Sequence, residues 1–215
     1  MNYTEKSNLF NSWASTYEKD LLRYKFQYPF AGYFEIIAEI KRSLSNSMKI
    51  LDVGIGSGFM LDKIVSDFDT MDCYGIDFST EMLEIAASRF SNSQLINFNI
   101  SDGVPKEIVE STFDVILSAY VLHHFSNEEK IKIIDNYFQL LSETGVFIVA
   151  DIVFDSIEQM NSVKQKVKNR WDSEEENGYI IKDSFQEDLN RLGCNYKYIK
   201  SSYCSGIFIV EKIKQ

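Results

Sequence analysis

The 215-residue chain is poor in cysteine, histidine and basic charge. Each shortage removes a class of protein. Cys73, Cys194 and Cys204 are the only three cysteines. An odd, sparse set without metal-ligand spacing fits neither a disulfide framework nor a zinc site, so free, packed thiols in a reducing compartment are expected and no metal site is. Lys and Arg number 22 against 32 Asp and Glu, a formal charge of -10. That is the wrong sign for a surface that gains affinity by releasing counterions from phosphates, and no nucleic-acid partner is expected. The most apolar stretch, 145–154, is interrupted by Asp151 and is too short to cross a bilayer. Residues 1–10 show no basic region followed by an apolar one. A cytoplasmic protein with no membrane partner is expected.

What remains is the composition of an ordinary globular protein, 45% hydrophobic and 25% charged, at a length that suits one domain. No internal repeat is present. Phe10, Trp13, Tyr17, Leu21 and Tyr24 recur at three- and four-residue steps and predict one amphipathic helix. A second is predicted from Pro29, suited to a first helical position, through Phe30, Tyr33, Phe34, Ile37, Ile40 and Leu44. These helices form a cap over residues 1–45, ahead of an α/β core over 46–215. From Met48 onward, short apolar runs alternate with helical faces, which predicts a doubly wound, mostly parallel sheet. The expected strands are 49–53, 73–76, 95–99, 114–118 and 146–152, and an antiparallel hairpin of 196–201 with 206–210 brings the sheet to seven.

Between the strands lie helical faces at Leu61, Ile64, Val65 and Phe68, at Met82, Leu83, Ala86, Ala87 and Phe90, and at Ile131, Ile134, Phe138 and Leu141. Ser79 is placed to cap the second, and Ser126 with Glu129 has the form of a capping box for the third. A further face at Met160, Val163, Val167 and Trp171 leads into an acidic run, 172–176, read as a solvated loop. The whole of 153–182 is read as lid-like. Asp183 with Gln186 is expected to open a last helix that Gly193 stops.

Gly54, Gly56 and Gly58 end the first predicted strand and open a helix. Glycines there let backbone approach a ligand, and the helix N-terminus beyond them offers unpaired amides. A dinucleotide fingerprint requires a third glycine three positions beyond Gly56, where Phe59 stands instead. Asp52, just ahead of the turn, would repel a pyrophosphate and suits a ligand with a cationic amine.

The run Asp52-Val53-Gly54-Ile55-Gly56-Ser57-Gly58 resembles the first motif of the class I S-adenosylmethionine-dependent methyltransferases. The resemblance continues over residues 48 to 155. Asp77 resembles the family's acid at the end of the second strand, which implies a grip on both ribose hydroxyls, and Asp102 before Gly103 resembles its adenine-side acid. Residues 113–125 resemble the segment lining the methionine and substrate side, and 140–145 resemble the turn into the fifth strand, without the Pro-Gly-Gly type of turn common in relatives. The pattern Trp13-Ala14-x-x-Tyr17 resembles small bacterial members in which such a tyrosine closes over the cofactor.

The resemblance therefore implies a seven-stranded Rossmann-like methyltransferase fold that binds S-adenosylmethionine and releases S-adenosylhomocysteine. It implies cofactor contacts from Tyr17, Asp52, Gly54, Gly56, Gly58, Asp77, Phe78, Asp102, Gly103, Ser118 and Ala119, and a small-molecule acceptor. His123 and His124 are the only histidines and are weak candidates for proton transfer, since packing or hydrogen bonding beneath the substrate loop explains them better. In-line displacement at an already activated methyl requires no dedicated base. A cofactor-binding module without transfer activity, or a methyltransferase of macromolecules, are the alternatives left open.

Overall fold

A computed structural model describes residues 11–14 and 16–213. The strands are β1 (Lys49–Val53), β2 (Asp72–Asp77), β3 (Gln94–Asn97), β4 (Phe113–Ala119), β5 (Leu141–Phe154), β6 (Ile180–Ile181), β7 (Cys194–Lys200) and β8 (Ser205–Lys212). They form a sheet in the order β3-β2-β1-β4-β5-β8-β7, parallel from β3 to β5 and antiparallel across β5, β8 and β7. The expected doubly wound sheet with its terminal hairpin is therefore present. β6 is an addition: its two residues pair with Val153 and Phe154, where β5 outruns β4.

The helices are α1 (Tyr17–Tyr24), α2 (Tyr33–Lys41), α3 (Phe59–Val65), α4 (Thr80–Arg89), α5 (Asn127–Phe138), α6 (Ile157–Val167) and α7 (Lys182–Arg191). Alternation along each strand sorts the core onto two faces. Leu51, Val53, Phe113, Ile116, Phe147 and Val149 meet Ile133, Ile134 and Tyr137 of α5 and Phe185 and Leu189 of α7. Ile50, Val115, Leu117, Ile148 and Ala150 meet α2, α3 and α4 through Ile36, Ile40, Leu61, Ile64 and Ala86. Each such buried aliphatic side chain contributes roughly 1.5–3 kcal/mol. Cys73, Cys194 and Cys204 are buried free thiols.

Several boundaries differ from expectation for local reasons. Phe10 lies outside the described residues. The predicted first helix is interrupted before α1, where the Thr16 amide and hydroxyl both turn back to the Trp13 carbonyl. The second starts at Tyr33 instead of Pro29, because Gly32 takes a left-handed conformation (φ 88°) that cannot continue a helix. A side chain there would also overlap Ser205. Leu141 belongs to β5, and Trp171 lies beyond the end of α6. Asp183 does not cap α7, whose N-cap position is Ile181 with no side-chain hydrogen bond. The Ser79 cap and the Ser126–Glu129 capping box both form.

Strand order reverses beside β1, which lies between β2 and β4. Open α/β sheets bind ligands at the carboxyl ends of the strands at such a switch point. The loops that leave β1, β2, β3 and β4 converge there.

Candidate active site

A cavity of about 480 Å³ opens at this switch point. Its floor is the turn after β1. Glycine serves differently at each position: a side chain at Gly54 would overlap Val121 and one at Gly58 would meet Phe90, whereas a Cβ on Gly56 has no atom within 4 Å. Gly56 (φ 54°) thus turns a bare backbone toward the cavity. Gly54 and Ile55 both donate to the Ile76 carbonyl, which ties the turn to the end of β2.

Two carboxyl groups meet at that junction. Asp77 accepts the Gly56 amide at 2.9 Å through Oδ2 and the Ser79 amide at 2.8 Å through Oδ1, so its orientation is locked by backbone. Burial raises its pKa, opposed by the Ser79, Gly56 and Phe78 amides. Asp52, only 3% exposed, is pushed up to about 8 by burial and then by the Asp77 charge. Among the described residues neither acid has a lysine or arginine salt-bridge partner. The pair is therefore a ready receptor for hydroxyl donors and for a cation.

Aromatic rings form the neighbouring wall. Tyr17 packs edge-on to Trp13 and Phe30, and Tyr33 stacks on Tyr120 at 5.3 Å. Burial lifts the Tyr17, Tyr33 and Tyr120 phenols well above their ordinary pKa, so they are neutral hydrogen-bonding groups. Tyr120 holds a left-handed conformation (φ 57°), uncommon outside glycine, while its amide donates to Ala150.

At the far end lie the two histidines. His123 Nδ1 is 2.6 Å from Asp151 Oδ1, and the His123 amide donates to Asp151 Oδ2 at 3.2 Å. Burial would raise the fully buried Asp151 carboxyl, but the His123 charge, its hydrogen bond and the Ile152 amide outweigh this and hold it below the usual carboxylate range. His124 Nδ1 lies 3.0 Å from Glu175 Oε2. Burial and then His123 lower the His124 pKa, with Glu175 opposing. Glu175 comes from the acidic run, which is thus not a plain solvated loop: Glu176 accepts from Lys164 at 2.5 Å and from the Trp171 indole at 3.0 Å. Arg170, Asp172, Glu175 and Tyr179 all face the cavity from this segment.

Of the residues singled out in the sequence, Tyr17, Asp52, Gly54, Gly56, Asp77, Phe78, Ala119, His123 and His124 line the cavity together. Gly58, Asp102, Gly103 and Ser118 do not. Gly58 faces Phe90 and Ser118 is wholly buried behind the wall. Asp102 is exposed at the end of a 3₁₀ turn, Ile100–Asp102, which Asn99 caps by accepting the Ser101 amide. That turn puts Asn99, Ile100 and Ser101 on the cavity in its place. Sequence reasoning did not assign Asn99, Tyr33 or Asp151 to the site, and it covered Tyr120 and Glu175 only as members of the 113–125 and 153–182 segments. Asp151 carried a signal, since an acid inside an apolar strand needs a partner.

A family model described as a methyltransferase domain matches residues 44–193. An uncharacterized methyltransferase of Bacillus cytotoxicus is 34% identical over 171 residues, covering 78% of this chain and 76% of that protein. The chain belongs to the class I S-adenosylmethionine-dependent methyltransferases. A Bacillus mycoides relative, also an uncharacterized methyltransferase, is 31% identical over the same length. Among solved structures the methyltransferase superposes on a DhpI–SAH complex with a TM-score of 0.70 at 14% identity, covering 96% of this chain and 94% of the other. It also superposes on magnesium protoporphyrin IX methyltransferase from Synechocystis with SAH, at 0.69 and 14%, covering 96% and 99%. The plantazolicin methyltransferase BpumL with SAH follows at 0.66 and 18%, covering 98% and 99%. At these identities the superpositions establish the shared fold.

Proposed function

We propose that this methyltransferase carries a methyl group from S-adenosylmethionine to a small-molecule acceptor, with both held in the cavity at the switch point. The observation that carries the reading is the single continuous chamber, which runs from the Gly56 backbone and the Asp52–Asp77 pair to the His123–His124 pair under the 170–179 segment. Asp77, fixed by two amides, is suited to accept both hydroxyls of a ribose through charge-assisted bonds. Asp52 has the burial and the missing counter-ion that a cationic amino group would supply. Phe78, Asn99, Ile100 and Ser101 form the slot for a flat heterocycle, in the role the sequence assigned to Asp102 and Gly103. Tyr17 and the rings of Phe30, Tyr33 and Tyr120 form an apolar wall beside Asp52 that limits water at the site.

When bound, the cofactor supplies a methyl group already activated by a sulfonium charge. The chain's contribution is then alignment and dryness, which supply about 7–11 kcal/mol when the geometry is good. A cavity of about 480 Å³, toward the lower end of the roughly 300–1,000 Å³ range of small-molecule sites, supports a compact acceptor beside the cofactor. Calorimetric titration with S-adenosylmethionine and S-adenosylhomocysteine, joined to a methyl-release assay over a metabolite panel, tests the reading. Binding of both with turnover of a small acceptor supports it. Binding without turnover on any member of the panel favours a module that has lost transfer activity, and absence of binding refutes it.

A further inference from the structure

His123, His124 and Glu175 each offer one ligand atom, and these atoms lie within 4.8 Å of one another on the cavity wall. Three features make the cluster more than a chance approach. First, His123 is held as metal-bound histidines are: its Nδ1 is hydrogen-bonded to the buried Asp151 carboxylate, which fixes the ring and leaves Nε2 as the donor atom. Secondly, Asp151 is itself anchored, accepting the His123 and Ile152 amides at 3.2 and 2.7 Å. Thirdly, the segment that brings Glu175 sits directly on the histidine loop. A side chain at Gly178 would overlap the His123 carbonyl, so the absence of one lets the two segments touch and sets Glu175 Oε2 3.0 Å from His124 Nδ1.

We propose that His123, His124 and Glu175 bind a divalent transition-metal ion of the zinc class, with a remaining coordination position open to the cavity. Two imidazoles and one carboxylate suit zinc, cobalt, nickel or ferrous iron, and disfavour magnesium and calcium, which take oxygen donors. The open position faces the acceptor end, where a hydroxyl, thiol or carboxylate of the acceptor would be the fourth ligand and so be oriented for transfer. That last role rests on the proposed function; metal binding does not.

The test is a titration of the tag-free full-length chain with Co2+ and Zn2+, followed by calorimetry and by visible absorption of the cobalt form. One ion per chain is expected, with the intense d–d bands of a four- or five-coordinate site that zinc displaces. His124→Ala and Glu175→Gln should each weaken binding at least about tenfold, and Asp151→Asn about 10–100-fold through its hold on His123. Glu175→Gln keeps the volume of a partly exposed residue, and a thermal shift with S-adenosylhomocysteine confirms that each variant is folded. Failure to saturate at one equivalent, or equal affinity in the parent, His124→Ala and Glu175→Gln, overturns the proposal. Metal binding by a protein that binds no S-adenosylhomocysteine would instead overturn the cofactor reading and leave this site standing.

Discussion

Asp52 makes the cofactor reading quantitative. Its carboxyl is pushed up to about 8 by burial and by Asp77, so the free protein at pH 6.5 holds it almost entirely protonated. A ligand whose amino group sits against it requires the carboxylate, and the proton must leave as the ligand binds. Titration of S-adenosylhomocysteine at pH 6.5 in buffers of differing ionisation enthalpy should therefore show release of close to one proton per ligand, falling to about half near pH 8. Affinity should rise with pH by about tenfold per unit below pH 8, which is about 1.4 kcal/mol per unit. Asp52→Asn should bind weakly, with neither proton release nor pH slope.

The same shift has a definite sign for stability. A carboxyl whose folded pKa exceeds its unfolded value costs the folded state progressively as pH rises from about 4 to about 8. The apo protein should lose stability across that window, and Asp52→Asn should lose less. Proton-neutral binding at pH 6.5, with a flat affinity profile from pH 6 to 8, would refute the assignment of a cationic group to Asp52.

Other expectations follow from single contacts. Asp77→Ala should weaken cofactor binding by about 1–3 kcal/mol, since it removes charge-assisted bonds to the ligand and the lock on Gly56; unchanged affinity in a folded variant would remove its ribose role. In Gly56→Val the Cβ meets nothing in the chain, but the residue strains a φ of 54° and its branched side chain enters the cavity. It should therefore lower the melting temperature modestly while abolishing binding, measured by thermal unfolding with and without ligand. Gly54→Ala, by contrast, drives a methyl into Val121 and should register mainly as lost stability in the same assay. Gly178→Ala should push the 172–179 segment off His123 and depress methyl transfer while cofactor affinity survives, a split seen by pairing turnover with calorimetry.

Much of the frame was legible because its signals are local. β1 is a short apolar run closed by a glycine turn, and its observed bounds equal the expected ones. The capping box at Ser126 and Glu129 is a four-residue device that needs no tertiary support. What stayed hidden depends on contacts between distant segments. β6 has two residues and exists only because β5 runs past β4, so no period announces it. Asp102 faces solvent because the Asn99 side chain caps a 3₁₀ turn, a competition between side chain and backbone that composition does not decide. Glu175 reads as one acid among several in a charged run until Gly178 lets that run rest on the histidine loop.

The costs gathered at the switch point have a common consequence. Asp52 and Asp77 are buried acids with no lysine or arginine salt-bridge partner among the described residues, and Tyr120 holds a backbone conformation that is unfavourable for a residue with a side chain. Backbone strain such as that at Tyr120 persists only where the surroundings over-determine it and costs of order 1–3 kcal/mol, and the two buried acids add a desolvation cost. A ligand that supplies hydroxyl donors and a positive charge relieves the electrostatic part of that cost, so its stabilisation of the fold should exceed what apolar contact alone provides. The gain should be largest where Asp52 is ionised, above pH 8, and shrink toward pH 5, where the free protein already holds Asp52 neutral. Thermal shifts induced by S-adenosylhomocysteine should therefore grow with pH in the parent and lose most of that growth in Asp52→Asn. A shift of equal size at pH 5 and pH 8 would mean that the acids at the ends of β1 and β2 do not meet the ligand's polar groups.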